Sequence, residues 1–201
     1  PPYLVDAIQH QQREQVERWV RRGFIFVSAN YRLLPEAPVD VQLRDVGRAL
    51  AAVQEKAASW GGDRRRVILM GHSAGAHLVA LLSVNPKATC EPGTAPVLGT
   101  VALDSAAMDV VQIMEAKHYG LYDAPFGKDK AYWTAMSPFH TIVAGAAPLL
   151  AVCSSRRDES CGQARKHTER SRWLGNRAEV LPEDLTHGEI NSELGLAGPY
   201  T

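Results

Sequence analysis

Three side chains in this sequence have the types and the placement that acyl-transfer chemistry requires. Ser73 stands at the centre of Gly71-His72-Ser73-Ala74-Gly75. A lone serine hydroxyl is a weak nucleophile at neutral pH, so it needs a base within hydrogen-bond reach and a third group to orient that base. His187 is the candidate base and Asp158 the candidate orienter. The spacing G-x-S-x-G carries this meaning only on a sharp strand-to-helix turn, where it pushes the hydroxyl out at the top of a sheet. The flanks fit that requirement: Arg66–Met70 is a short apolar, β-branched run that reads as a buried strand, and Ala76–Leu82 is an unbroken apolar run that reads as helix. Ala74, the residue after the nucleophile, is positioned to donate its N–H to a developing oxyanion.

In open α/β sheets the ligand site lies outside the carboxyl ends of the strands. Asp158 follows a predicted strand at Pro148–Cys153, and His187 follows one at Arg177–Leu181. The chain order Ser, Asp, His is the one associated with this elbow. Two rivals for the orienter remain: Glu159, its neighbour, and Asp104, which ends a further predicted strand at Val97–Leu103. His72 and His77 neighbour Ser73 but read as packing or rim residues. His10, His118, His140 and His167 show no ligand spacing with Asp, Glu or Cys, so no metal site and no cofactor are expected.

The elements that must hold these residues alternate. A helix over 7–22, with Ile8, Val16, Trp19 and Val20 on one face, stops at Gly23. Phe24–Asn30 reads as a buried parallel strand. A Pro-punctuated loop, Tyr31–Pro38, leads to a helix that Asp40 can cap and that carries Leu43, Val46, Leu50 and Val53 at helical spacing. The span 106–147 is irregular apart from a helix near Val110–Glu115, is rich in aromatics, and could form a cap or pocket wall. A polar helix is expected from Gln163 to Leu174. The alternation predicts an α/β fold, a mostly parallel sheet with helices on both faces, in a single domain over 1–201.

Composition narrows the partners. The chain has 201 residues, 45% of them hydrophobic, with 22 basic and 22 acidic residues and a formal charge of zero. That balance gives no reason to expect nucleic acid as a partner, and no apolar run is long enough to span a bilayer. The chain opens Pro1-Pro2-Tyr3 without an initiator Met or a signal-peptide profile, so a processed or N-terminally truncated product is expected. Cys153 and Cys161 bracket a polar loop. A disulfide there would clamp it and imply an oxidising compartment, secreted or periplasmic; two reduced thiols are the alternative. Cys90 is left over as a free thiol.

The stretch Phe24–Leu82 resembles esterases of the α/β-hydrolase fold, of the hormone-sensitive lipase and feruloyl or acetylxylan esterase type. The resemblance rests on Asn30-Tyr31-Arg32-Leu33-Leu34-Pro35-Glu36 preceding the elbow and on Gly71-His72-Ser73-Ala74-Gly75-Ala76-His77-Leu78. It extends loosely through Asp158 and His187. It implies hydrolysis of a small-molecule carboxylic ester through an acyl-enzyme at Ser73, and a structural role for Arg32, paired with an acid such as Asp45. One departure stands out. The resemblance implies an upstream His-Gly-Gly loop that supplies a second oxyanion donor, on a strand lying between those at Phe24 and Val67. This sequence has no His-Gly-Gly. Losing one such donor costs roughly a hundred- to a thousandfold in turnover, and losing its strand leaves two sheet edges unpaired. Two readings therefore stand beside the esterase: an amide-cleaving hydrolase of the same fold, such as an aryl-formamidase or peptidase, and a catalytically impaired binding protein.

Overall fold

A computed structural model describes residues 13–198 and Tyr200. Its centre is a parallel sheet of four strands in the order β1 (Ile68–His72), β2 (Gly99–Leu103), β3 (Leu149–Ser154) and β4 (Ala178–Glu183). Registers run Gly71 opposite Ala102, Ala102 opposite Ala151, and Ala151 opposite Val180. The crossovers are helical, as parallel neighbours require.

Residues 13–21 are helical and form the described part of α1. The remaining helices are α2 (Val39–Lys56), α3 (Ala74–Val84), α4 (Pro86–Thr89), α5 (Val110–Glu115), α6 (Asp123–Phe126), α7 (Lys130–Ala135), α8 (Pro138–Thr141), α9 (Asp158–Trp173) and α10 (His187–Ser192). The first part of the helix expected over 7–22 lies outside the described residues.

Alternation along the strands sorts the core into two layers. On one face Ala102, Leu149, Ala151 and Cys153 pack under α3 and α9, through Ala76, Ala80, Cys161 and Ala164. On the other, Leu103 and Val152 pack with Ile190 and Leu194, so α10 and the C-terminal turn cover that face. Small alanines on the first face let α3 sit close to the sheet. Outside α3, the helix α2 buries Val39, Leu43 and Leu50 against Leu78, Leu81 and Leu82. The cap of α2 is Pro38 and not Asp40, which lies in the first turn and pairs with Arg44 at 3.0 Å. The span 106–147 is a string of short helices whose Phe126, Trp133 and Met136 are buried in the same cluster as α2.

The expected strand at Phe24–Asn30 does not form. These residues carry no strand pairing, and Phe24, Ile25 and Val27 are largely exposed. The physical reason is the absence of a neighbour: β1 is the edge of the sheet, with Ile68 49% exposed. Between the two lies a groove of about 1150 Å³, lined by Ile25, Val27, Ile68, Met70, Gly75 and Leu78 among others. The gap expected from the missing His-Gly-Gly strand is thus present among the described residues. The loop that follows is anchored as anticipated: Arg32 meets Asp45 through two hydrogen bonds of 2.8 Å, and this pairing holds the Asp45 carboxyl down at about 2.

Candidate active site

Ser73 follows β1 and precedes α3, with φ 56° and ψ −117°. A non-glycine residue pays about 1–3 kcal/mol for such a conformation, which persists only where its surroundings impose it. Here Ser73 N–H donates to Leu103 O at 2.9 Å, and Ser73 O accepts from His77 N–H at 3.2 Å. Gly71 is obligatory for a steric reason: a Cβ there would run into the backbone carbonyl of Gly75. Gly75 is different, since a Cβ there would meet nothing within 4 Å. Ala74 holds the first position of α3, where a helix leaves its N–H groups without intrahelical partners.

His187 opens α10, whose start is fixed by a reciprocal cap between Thr186 and Glu189. Its Nδ1 lies 2.6 Å from Asp104 Oδ2. The elbow's own His72 holds the His187 backbone, its Nε2 lying 2.7 Å from His187 O, with the two rings 4.4 Å apart. Burial pushes the His72 imidazole below its usual range, so it stays neutral and donates to that carbonyl. No hydrogen bond joins Ser73 to His187 among the described residues; in unliganded enzymes this contact commonly tightens only with substrate bound.

The carboxylate that contacts His187 differs from the expectation. Asp158 does not reach His187. It sits in the first turn of α9, exposed, with no side-chain hydrogen bond or ion pair among the described residues. The helix begins at Asp158 and not near Gln163, and those extra residues wind Asp158 onto the outer surface. Glu159, beside it, is exposed as well. The carboxylate at His187 is Asp104, at the carboxyl end of β2, 1% exposed and held at φ 53°. Its Oδ1 accepts from Ser154 N–H at 2.7 Å and Ser160 Oγ–H at 2.5 Å; its Oδ2 accepts from Arg157 Nη1 at 2.5 Å. Burial alone would push the Asp104 carboxyl up, but these bonds and the one from His187 outweigh it, and the group is held below its usual range. Asp104 is one of the two rivals to Asp158 that the sequence offers, whereas Arg157, Ser154 and Ser160 carry no sequence mark of this role. The sequence signal for Asp104 is an acid closing the apolar run Val97–Leu103.

His77 is a core residue, as read: its Nε2 lies 2.8 Å from Met136 O, and full burial holds its imidazole down at about 4. Among the described residues no group of His, Cys, Asp or Glu could hold a metal ion.

A strained serine on a strand-to-helix elbow, a buried carboxylate at one strand end and a histidine beyond another, on a parallel sheet with helices on both faces, are the arrangement of the α/β-hydrolase fold. The chain belongs to the BD-FAE family, whose model matches residues 5–178. It is 36% identical over 121 residues to esterase LipQ of Mycobacterium tuberculosis, a match covering 60% of this chain and 26% of LipQ. It is 42% identical over 59 residues to the carboxylesterase NlhH of the same species, covering 29% of this chain and 18% of that protein. The chain therefore spans about a quarter or less of the length of these relatives. Among solved structures, the apo form of Thermogutta terrifontis esterase 2 superposes with a TM-score of 0.74 at 24% identity, covering 93% of this chain and 71% of that one. A truncated carbohydrate esterase from gut microbiota gives 0.74 at 17% identity, covering 88% and 71%.

Proposed function

We propose that this chain is a serine hydrolase that cleaves small-molecule carboxylic esters through an acyl-enzyme at Ser73. The observation that carries the reading is the strained Ser73 elbow beside a His187–Asp104 contact of 2.6 Å. In this mechanism His187 Nε2 accepts the Ser73 proton as Oγ attacks the ester carbonyl. Asp104 keeps the ring in the tautomer with Nδ1 protonated and offsets the imidazolium charge. The Ala74 N–H faces the oxyanion. Collapse expels the alcohol with the proton from His187, and a water then repeats the sequence to release the acid. The esterase names of LipQ and NlhH support the substrate class. The Cys153–Cys161 disulfide supports an oxidising compartment, secreted or periplasmic.

A second reading, a binding protein that keeps the fold with little turnover, is favoured by one feature: the chain offers the Ala74 donor but no His-Gly-Gly loop. Hydrolysis of p-nitrophenyl acetate separates the two. The esterase reading expects turnover that Ser73→Ala abolishes; equal rates in the two proteins exclude Ser73 as nucleophile.

A further inference from the structure

Among the described residues, every donor to the Asp104 carboxylate, His187 aside, comes from one short loop, and a disulfide closes that loop. Cys153 lies in β3 and Cys161 in the first turns of α9, eight residues apart. Between them stand Ser154, Arg157 and Ser160, the three residues that donate to the Asp104 carboxylate. The cap residue of α9, Arg157, makes no capping hydrogen bond, so its first turn is held by the bridge together with the Arg157 and Ser160 bonds to Asp104. Uncapped first turns fray readily. Arg157 is also delicately placed: its Nη1 lies 2.5 Å from Asp104 Oδ2 and 2.7 Å from His187 Nδ1. Nδ1 cannot donate to Asp104 and accept from Arg157 at once. A small displacement of Arg157 therefore decides which partner the ring nitrogen serves.

Resting on the reading of Asp104 as orienter of His187, we propose that the Cys153–Cys161 bridge is a redox control on the acid–base pair. The bridge holds Arg157 and Ser160 as positioning residues, and its reduction by a dithiol lowers turnover. In that step a reductant thiolate attacks one bridge sulfur to form a mixed disulfide, and the reductant's second thiol displaces the cysteine. Two electrons and two protons pass to the bridge, leaving Cys153 and Cys161 as thiols and the reductant as a disulfide. Both cysteines are buried, so the reductant gains access as the first turn of α9 opens.

The test uses the full chain in a Cys90→Ser background, which removes the remaining free thiol. Dithiothreitol reduction is followed by alkylation and mass, while p-nitrophenyl acetate kinetics, far-UV circular dichroism and the low-field imidazole proton of His187 are recorded. The expected result is a fall in kcat of about tenfold or more, since misplacement of about 1 Å can cost a hundredfold. KM stays within twofold, the imidazole proton is lost, helicity persists, and reoxidation restores the rate. Full reduction with kcat unchanged overturns the proposal. If reduction unfolds the chain, Ser160→Ala with the bridge intact decides: kcat down with KM and Tm held supports positioning, and an unchanged kcat overturns it. Full activity in Asp104→Asn would instead defeat the underlying reading of the site; an inactive Asp104→Asn with reduction silent defeats this inference alone.

Discussion

Replacing Asp104 by Asn removes one charge and almost no volume at a carboxylate that takes four hydrogen bonds. The Asn carbonyl can keep the Ser154 and Ser160 donors, which both meet Oδ1. Its amide then faces Arg157 and His187, where the carboxylate accepted. Donor meets donor at Arg157, and at His187 the amide favours the tautomer with Nδ1 unprotonated. A ring in that form carries its proton on Nε2 and cannot take one from Ser73. A wrong tautomer of this kind lowers kcat by about 10⁴ in the worked serine-protease case, and a loss of that order is expected here. Breaking a buried ion pair costs about 3–5 kcal/mol when the partner stays buried; the Arg157 side chain is 32% exposed and can turn to water, so about 1–3 kcal/mol is expected. That corresponds to a Tm lower by roughly 3–10 °C in a chain of this size. The pH dependence has a definite sign. The folded Asp104 carboxyl is held below its unfolded value, so its contribution is complete above that value, about 3.9, and is lost as pH falls through the lower folded value. Asp104→Asn therefore loses this acid-limb dependence of stability. Steady-state hydrolysis and thermal melts check both parts, with Asp158→Asn as the comparison. The exposed Asp158 is expected to change kcat less than twofold. Asp104→Asn within tenfold of the parent, with the larger loss in Asp158→Asn, would refute the reasoning.

The elbow glycines offer a matched pair. Gly71→Ala drives a Cβ into the backbone of Gly75, and a loss beyond about 3 kcal/mol is expected, read as insoluble protein or a collapsed melt. Gly75→Ala meets open space inside α3 and is expected to be neutral or to stabilise by up to about 1 kcal/mol. Ser73→Gly relieves the strained conformation and is expected to raise stability by about 1 kcal/mol in urea titration while abolishing turnover. His77 and His167 are buried and held down at about 4. The unfolded chain therefore binds more protons than the native one between pH 4 and 6.5, so stability falls as pH is lowered through that window. About 1.5 kcal/mol per histidine is expected between pH 6.5 and 5; His167→Leu, which also removes two ring nitrogens that have no hydrogen-bond partner among the described residues, should halve that slope and raise stability at pH 7. An unchanged slope would show that His167 binds as many protons in the native state as in the unfolded one.

The parts of this structure that the sequence made legible are those set locally. Strand, turn and helix around Ser73 follow one another within about twenty residues, and the helix over α2 declares itself through Leu43 and Leu50. The Cys153–Cys161 bridge spans only eight residues, and Arg32 and Asp45 meet as the family resemblance implied. The acid was harder because it depends on distant geometry. Asp104 and Asp158 both follow a strand at its carboxyl end, and the choice turns on where α9 starts. Without a capping side chain at Arg157 there was no local mark for that start. Phe24–Asn30 failed for a related reason: its composition suits a buried strand, but a strand exists only with a partner, and the described residues leave a groove there.

The most direct measurement is mapping a fluorophosphonate adduct on the folded full chain by peptide mass. A stoichiometric adduct on the peptide carrying Ser73, abolished in His187→Ala and in Asp104→Asn, is the predicted result. An unlabelled Ser73 in folded protein, or labelling that is indifferent to His187 and Asp104, would contradict the assignment of this elbow as a nucleophile served by that pair.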